Sequence, residues 1–461
     1  MTSLVPRSGV VDRMGVRVDD AGGPGDADPA VLLGIALRRN PRRAQLLVSR
    51  VLGKHVPTDP RLVRGAGLLL GGRVADALDG VPARPLPVAD LHAAVDGDRA
   101  AATRLHSGAE PGAVARAGRL ARDVLVLSFA ETATGLGHCV AEALHADHLH
   151  STRRQVPGHV AAGGFTEEHS HATDHMLLPG DPDLLRDGRP LVLVDDELST
   201  GRTALNTIAA LHRIAPRPRY VLAALVDSRP DPRALVDAVA GLGARLDVVS
   251  LARATVTLPA DLADRAARLR AALGGEPAAP PGTGTPAAGT PVAGHVRLDV
   301  LGWPAGLPVG GRHGFRGADH DRLGTALPAM AGRLAAATGL RREERLLVLG
   351  TEELMALPLR LAQTVADAGH DVAFSTTTRS PAVVVDEPGY ALTSGITFPA
   401  HDDPADGPGP RFAYNLGRAG DRPWDHVLVV VDPPADGVGL RTGLLAALAP
   451  HSTRITVVTT P

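Results

Sequence analysis

Short runs of valine and leucine alternate with longer stretches of helical periodicity in the first half of this chain. The clearest apolar runs cover residues 123–128, 191–194 and 220–226. A helical stretch follows each of the first two runs, one ending near Leu144 and the other covering about residues 203–212. Near-continuous Val and Leu strands joined by helices are typical of a parallel sheet covered on both faces. The pattern therefore predicts an α/β fold.

Composition divides the chain into four parts. Residues 1–28 are rich in Gly, Asp and Pro without an apolar period, and we expect a loose tail there. Residues 274–294 are dominated by Pro and Gly and are typical of a semi-stiff linker. This linker separates two globular pieces, residues 29–273 and 295–461. Each piece can bury a core, because apolar residues make up 44% of the chain.

A weak internal repeat relates the two globular pieces. The strand that precedes Glu131 can be aligned with the strand that precedes Glu352. The other aligned pairs are residues 151–154 with 377–380, and residues 191–195 with 429–432. The repeat predicts two related Rossmann-like domains in tandem. Chance similarity between two α/β domains is the alternative.

Charge, cysteine content and hydropathy exclude several classes of protein. The net charge is -2, and no basic run is interleaved with aromatic residues, which argues against a nucleic-acid surface. Cys139 is the single cysteine, so no internal disulfide can form. No stretch approaches the roughly 20 apolar residues that span a bilayer, and the N-terminus lacks the layout of a signal peptide. We therefore expect a protein of the reducing cytoplasm with no membrane partner.

The most informative segment follows the apolar run 191–194. Asp195 and Asp196 stand at the exit of this predicted strand, where ligands of open α/β sheets bind, and adjacent carboxylates can accept hydrogen bonds from a ribose diol. The next residues are mostly small and carry hydroxyl groups, so their N–H groups and the following helix can hold an oxyanion. These residues are Ser199, Thr200, Gly201, Arg202 and Thr203. A diol site and a phosphate site one short loop apart match a ribose 5-phosphate.

Two further segments contain candidate binding residues. The paired guanidinium groups of Arg153 and Arg154 suit a diphosphate, and a solvated surface pair is the alternative. Residues 163–175 are polar and begin with Gly-Gly, as in a mobile lid. The histidines of this segment are His169, His171 and His175. They could bind zinc or could simply be solvated loop residues.

Residues 191–203 resemble the motif with which type I phosphoribosyltransferases bind phosphoribosyl pyrophosphate (PRPP), although Glu197 replaces an apolar or small residue. Together with Thr378-Arg379-Ser380-Pro381, these strings resemble the orotate phosphoribosyltransferase-like family of tellurium-resistance stress gene clusters. Members carry a C-terminal domain named TRSP. The resemblance covers most of the chain and implies a type I phosphoribosyltransferase domain in residues 29–273. It also implies a second, degenerate Rossmann-like α/β domain, the TRSP domain, in residues 295–461.

The resemblance implies transfer of the 5-phosphoribosyl group from PRPP to a base-like or other small nucleophile, with release of pyrophosphate. Asp195 and Asp196 would hold the ribose diol and help to place the cofactor Mg²⁺, while residues 199–203 would anchor the 5-phosphate. The sequence does not identify the acceptor. The alternatives are a non-catalytic PRPP sensor and a structural component of a stress complex. Dimers are common in this fold, so a homodimer is a further expectation.

The resemblance also implies roles for the other candidate residues. The loop after residue 128 would hold the pyrophosphate, and an ordinary strand-to-helix turn with a threonine cap is the alternative. Its residues are Ala130, Glu131 and Thr132, with Arg153 facing the same leaving group. The segment 163–175 would close over PRPP, and its histidines could donate protons to the pyrophosphate or to the base. An N-terminal hood would select the acceptor through Arg38, Arg39 and Lys54, where the only lysine of the chain is either a required amine or a remnant.

The second piece keeps Glu352 and Asp432 but has Pro433 and Pro434 where the phosphate-binding turn would stand. Two prolines remove backbone N–H donors, so a 5-phosphate could not be held there in the same way. We expect a degenerate partner that does not bind PRPP. It would bind the acceptor or product, cover the first site, or serve only as a scaffold.

Overall fold

The computed structural model describes residues 9–40, 43–117, 123–154, 156, 158–165, 175–273, 292–401, 409–418 and 420–461. The helices are α1 Val10–Met14, α2 Pro29–Leu32, α3 Pro60–Asp79, α4 Val88–Val95, α5 Arg99–Ala117, α6 Thr134–Leu144, α7 Arg202–Ile214, α8 Pro232–Ala240, α9 Leu262–Ala272, α10 Gly317–Thr338 and α11 Ala356–Asp367. Short helical segments follow at Val438–Leu440, Arg441–Leu445 and Ala446–Leu448. Among the described residues, no helix is both long and apolar enough to cross a bilayer.

The strands belong to two larger sheets and three hairpin-like pairs. In the first half they are β1 Arg17–Asp20, β2 Leu33–Leu37, β3 Gln45–Ser49, β4 Leu125–Ser128, β5 Asp147–His150, β6 Gly163–Phe165, β7 His175–Leu177, β8 Leu191–Leu198, β9 Arg219–Asp227 and β10 Arg245–Thr257. In the second half they are β11 Val292–Arg297, β12 Arg345–Gly350, β13 Asp371–Thr376, β14 Gly395–Pro399, β15 Pro410–Tyr414, β16 His426–Val431 and β17 Ile455–Thr459.

The first sheet has the order β1-β10-β9-β8-β4-β5 and is parallel except for β1. Its central strands β4, β8 and β9 are the three apolar runs of the sequence, and they are almost fully buried. Helices α3 and α6 cover one face, while α7 and α8 pack against the other. The predicted α/β fold with a mostly parallel sheet is confirmed.

The second sheet has the order β11-β17-β16-β12-β13, and all of its strands are parallel. Four of its strands, β13-β12-β16-β17, follow the same spatial and sequential order as β5-β4-β8-β9 of the first sheet. The strand pairs aligned in the sequence, β4 with β12 and β8 with β16, therefore occupy equivalent positions. The topology agrees with two related domains in tandem.

Helices α3, α6, α10 and α11 pack between the two sheets in one apolar core. A Cβ atom on Gly135 of α6 would lie 3.1 Å from the Cβ atom of Met355, which leads into α11, so the backbones approach closely at this position. Beside it, Glu142 of α6 accepts hydrogen bonds of 2.6 Å from Arg64 of α3 and from Arg360 of α11. Charge and packing therefore join the two domains directly.

The β2–β3 pair packs on the C-terminal domain rather than on the first sheet alone. It shares an apolar cluster with residues 382–392 and with β15. The backbone N–H of Leu37 donates a 2.8 Å hydrogen bond to the hydroxyl of Tyr390. Asn415 donates one of 2.9 Å to the carbonyl of His55. The N-terminal segment expected to form the hood is thus built against both domains.

Two expected boundaries differ from the structure. The prediction of a loose tail over residues 1–28 is wrong for residues 10–20, which form α1 and β1. Strand β1 pairs antiparallel with β10, and Val10 and Met14 are buried, so edge pairing and packing order a segment that has no apolar period. Most of the predicted linker lies outside the described residues, and β11 begins at Val292, inside its expected range.

Candidate active site

Strand β8 supplies the carboxylates of the candidate site. It continues to Leu198, so Asp195 and Asp196 lie within the strand rather than in a loop after it. The extension arises because Glu197 and Leu198 pair with the end of β9. Asp195 accepts a hydrogen bond of 2.9 Å from the N–H of Asp196. Both carboxylates are half-buried and line one cavity, as the diol interpretation requires.

The turn after β8 lines the same cavity. Gly201 has a φ of 75°, which favours glycine, and a Cβ atom there would lie 2.9 Å from the side chain of Leu235. Helix α7 begins at Arg202, so the positive end of its dipole faces the cavity, and the N–H of Arg202 donates a 3.3 Å hydrogen bond to the hydroxyl of Thr200. The cavity-lining residues of this turn are Ser199, Thr200, Gly201, Arg202 and Thr203. All five residues predicted to form the phosphate turn are thus brought together.

Glu197, the departure from the familiar motif, also lines the cavity. Its carboxylate lies 3.6 Å from Arg43 and accepts a 3.3 Å hydrogen bond from Ser228. Burial and the neighbouring Asp196 raise the pKa of Glu197 despite Arg43. The third carboxylate therefore connects β8 to the segment between β2 and β3.

The loop between β4 and α6 forms a second wall of the cavity through Ala130, Glu131 and Thr132. The Ala130–Glu131 peptide bond is cis. The N–H of Ala130 donates a 2.9 Å hydrogen bond to Ser151, which follows β5. Ala133 occupies the N-cap of α6, and no side chain caps the helix there, so the alternative of a threonine-capped turn does not describe this loop.

Lys54 reaches this loop from the segment that follows β3. Its side chain is buried, and its amino group lies 2.6 Å from the hydroxyl oxygen of Thr132. Burial lowers the pKa of Lys54, while the neighbouring carboxylates of Glu131 and Asp196 oppose this shift. The only lysine of the chain thus lies between the two predicted binding loops.

The structure separates the two arginines that follow β5. Arg153 lines the cavity, whereas the guanidinium group of Arg154 lies 3.3 Å from Asp432 and 3.7 Å from Glu352, both in the C-terminal domain. Both residues lie in a bend after β5, where the N–H of Arg154 donates a 3.0 Å hydrogen bond to the hydroxyl of Thr152. The prediction of an arginine pair facing one diphosphate is therefore corrected to Arg153 alone.

The remaining candidates have different positions. His169 and His171 lie outside the described residues, whereas His175 lies in β7 rather than in a lid. His175 is buried, lines the cavity and hydrogen-bonds Ser151 at 2.8 Å. Arg38 lines the cavity, but Arg39 does not and donates to the carbonyl of Ala382. Among the described residues, no group of three or more His, Cys, Asp or Glu side chains is arranged to hold a metal ion.

The C-terminal domain contributes cavity residues that the sequence did not single out as part of this site. They are Thr378, Arg379, Ser380, Pro381, Gly409, Pro410, Arg411 and Phe412. The repeat contained a signal for some of them, because residues 377–380 were aligned with residues 151–154. The two segments follow β5 and β13, which are edge strands at equivalent positions of the two sheets.

The cavity has a volume of about 750 Å³ and lies between the two domains and the β2–β3 pair. This volume is typical of small-molecule sites. Its cationic side chains are Arg38, Arg43, Lys54, Arg153, Arg202, Arg379 and Arg411, and its carboxylates are Glu131, Asp195, Asp196 and Glu197. Cations thus exceed carboxylates. The charge of the cavity suits a polyanionic small molecule.

Residues 32–255 match the model of the phosphoribosyl transferase family, and residues 309–448 match the TRSP domain that lies C-terminal to it. No curated protein matches the chain. The matching solved structures include adenine phosphoribosyltransferase from Thermoanaerobacter pseudethanolicus, with 18% identity over 32% of this chain and 81% of that chain and a TM-score of 0.22.

Another match is orotate phosphoribosyltransferase from Aeropyrum pernix, with 22% identity over 32% of this chain and 72% of that chain and a TM-score of 0.20. The two family models cover most of the chain and confirm the resemblance inferred from its motifs. The chain therefore belongs to the phosphoribosyl transferase family, with a TRSP domain C-terminal to the transferase domain.

Proposed function

We propose that this protein is a PRPP-dependent phosphoribosyltransferase that transfers the 5-phosphoribosyl group to a base-like or other small nucleophile. One observation supports the proposal above all. The carboxylate pair of β8, the hydroxyl-rich turn 199–203 and the loop 130–132 line one cationic cavity. In this proposal the three groups of residues would hold a ribose diol, a 5-phosphate and a diphosphate, respectively.

In the proposed reaction, the bond between C1 of the ribose and the diphosphate oxygen breaks, and its electron pair leaves with pyrophosphate. The nucleophile forms the new bond to C1 and releases its proton. Asp195 and Asp196 orient the ribose through its hydroxyl groups, and the turn 199–203 anchors the 5-phosphate. The protein contributes position and electrostatic stabilisation rather than a covalent nucleophile.

The residues present fit a role for Mg²⁺. Asp195 and Asp196 offer two carboxylates at the cavity, and Mg²⁺ in phosphate-transfer sites is commonly held by one or two carboxylates together with substrate oxygens. When bound, Mg²⁺ would be held by Asp195 and Asp196 together with substrate oxygens, and it would offset the charge of the diphosphate leaving group.

The acceptor would bind on the side of the cavity formed by the β2–β3 pair and the C-terminal domain. Arg38 and Arg43 line that side, together with Leu46, Leu47 and Phe412. These side chains provide cations and apolar surface without singling out one base. We further propose a tellurium-resistance or stress-linked pathway and a homodimer, and both rest on the family resemblance alone.

Pyrophosphate release tests the proposed function. The protein is incubated with PRPP, Mg²⁺ and a panel of purine, pyrimidine and carboxylated heterocyclic acceptors, and pyrophosphate is quantified. Release that depends on one acceptor supports the transferase. PRPP binding without release for any acceptor would instead support a non-catalytic PRPP sensor. If PRPP does not bind, both assignments are wrong.

A further inference from the structure

The segment Thr378-Arg379-Ser380-Pro381 of the C-terminal domain lines the same cavity as the carboxylates and phosphate turn of the N-terminal domain. It follows β13, whose place in the second sheet corresponds to that of β5 in the first. A bridge between Thr378 and Phe412 fixes the backbone, and the hydroxyl of Thr378 accepts a 3.1 Å hydrogen bond from the N–H of Ser380. The segment is therefore an ordered wall of the cavity.

Arg379 connects this wall to the loop expected to hold the diphosphate. Its Nε atom lies 2.8 Å from a carboxylate oxygen of Glu131 and 2.7 Å from one of Glu352. Both carboxylates are buried. The arginine therefore bridges the loop after β4 of one domain and the loop after β12 of the other.

The contact is reciprocal between the two domains. Glu353, also in the loop after β12, accepts hydrogen bonds of 2.8 Å from the hydroxyl of Thr152 and 3.0 Å from the N–H of Arg153. Glu131, after β4, thus contacts Arg379 after β13 of the other domain. Glu353, after β12, contacts the loop after β5 in return. Although burial alone would raise it, nearby cations bring the pKa of Glu353 to about 2. Glu353 therefore remains an anion that holds the Thr152–Arg153 loop.

Three cations from three parts of the chain converge on Glu131. Lys54 comes from the segment after β3, Arg153 from the segment after β5, and Arg379 from the C-terminal domain. Burial and the nearby Glu352 raise the pKa of Glu131, and the three cations oppose that shift. Without Arg379, the charge of Glu131 would act on the diphosphate end of the cavity with less compensation.

We propose that the TRSP domain completes the diphosphate end of the PRPP site, with Arg379 as a positioning residue that neutralises and holds Glu131. This inference rests on the proposed function. It assigns a role to the segment Thr378–Pro381, and it makes the C-terminal domain part of the binding site rather than an appended scaffold. The chemical group that depends on Arg379 is the diphosphate, not the 5-phosphate.

The test compares Arg379→Gln with wild type by calorimetric titration of the full chain in Mg²⁺ buffer. The probes are PRPP, inorganic pyrophosphate and ribose 5-phosphate. Loss of one charge-assisted contact is expected to weaken the binding of PRPP and of pyrophosphate by on the order of ten- to a hundredfold. Ribose 5-phosphate lacks the diphosphate. Its affinity is expected to change by no more than about twofold, because residues that share no partners usually contribute independently. Arg342→Gln, at an exposed arginine of the same domain, is the matched control.

Two further variants separate positioning from folding. Arg379→Lys keeps the charge and should restore part of the PRPP affinity. If Arg379→Gln is unstable, Arg379→Lys takes its place in the titration. Adding Glu131→Gln to Arg379→Gln removes the uncompensated carboxylate and should likewise recover part of the affinity.

If Arg379→Gln binds ribose 5-phosphate and PRPP more weakly by the same factor, the inference is overturned. Unchanged PRPP affinity in this variant would overturn it as well. If the wild-type protein binds none of the three probes, the proposed function itself fails.

Discussion

The amino group of Lys54 lies 2.6 Å from the hydroxyl oxygen of Thr132, in the loop proposed to hold the diphosphate. The lysine is buried, and its charge interacts with Glu131 of this loop and with Asp196 of β8, which line the same cavity. We expect Lys54→Met to weaken PRPP binding by about tenfold or more, because a charge-assisted hydrogen bond is lost. Lys54→Arg should not restore it, since a planar guanidinium group cannot occupy the place of a compact amine.

Calorimetric titration of PRPP checks this prediction. The PRPP affinity of wild type should also fall as pH rises toward the lowered pKa of Lys54, because the cationic form is lost at a lower pH than in a free lysine. Wild-type affinity in the Lys54→Met variant would show that the lysine is a remnant.

The carboxylate pair gives a second prediction. Asp195→Asn combined with Asp196→Asn should lower pyrophosphate release by on the order of a hundredfold or more, because groups that stabilise a transition state contribute at this scale. The fold should survive, since both side chains are only half-buried at the cavity. Thermal melting and the pyrophosphate assay measure the two effects. Asp183→Asn, at an exposed aspartate, is the control, and near wild-type turnover in the double variant would remove the assignment.

The phosphate turn gives a third prediction, with a matched control in the same chain. Gly201 and Gly243 have φ values of 75° and 81°, but only Gly201 lies in the cavity wall and against another side chain. Gly243→Ala should lose on the order of 1 kcal/mol of unfolding free energy, because the left-handed region disfavours residues with a Cβ atom. Gly201→Ala should lose more, because its Cβ atom would also lie 2.9 Å from Leu235. Only Gly201→Ala should also weaken the binding of ribose 5-phosphate. Equal ligand affinity in the two variants would contradict the proposed phosphate site.

A fourth prediction concerns a buried histidine between the domains. Burial, together with the nearby arginines, lowers the pKa of His320 to about 4, although Glu142 opposes the shift. In the unfolded chain this histidine is protonated below about pH 6.5, whereas in the folded chain it stays neutral until about pH 4. The free energy of unfolding therefore falls as the pH drops from about 6.5 toward 4. Acidification from pH 7 to pH 5 should lower the free energy of unfolding by about 2 kcal/mol through His320 alone.

Denaturant unfolding of wild type and His320→Gln at both pH values measures the contribution of His320. The variant should lose less stability on acidification, since glutamine does not titrate. His138, His148 and His150 lie nearby with lowered pKa values, so a residual dependence on pH remains. Equal pH dependence in the two proteins would contradict the assigned shift.

The parts of the site that follow from local order could be predicted from the sequence. A buried strand, two carboxylates, a hydroxyl-rich turn and a helix occur consecutively in residues 191–214, so their relative geometry is set over a short length of chain. The structure adds that the strand is longer, because residues 195–198 of β8 are held by pairing with β9. That pairing joins residues 29 positions apart, such as Glu197 and Val226, and has no local signal.

Contacts between the domains could not be predicted in this way. Arg379 and Glu131 are far apart in sequence, and neither segment considered alone indicates that the two side chains meet. Arg154 was misassigned for the same reason, since its partners Glu352 and Asp432 belong to the other domain. The internal repeat contained a usable signal, because equivalent strands place residues 151–154 and 377–380 at corresponding sheet edges.

The central claim is that the carboxylates of β8 hold the hydroxyl groups of a ribose while the turn behind them holds its phosphate. A crystal structure of the full chain with Mg²⁺ and PRPP tests it most directly. We predict the ribose 2′- and 3′-hydroxyl groups beside Asp195 and Asp196, and the 5-phosphate on the N–H groups of residues 199–203. PRPP bound outside this cavity, or with its diphosphate in the turn 199–203, would contradict the account.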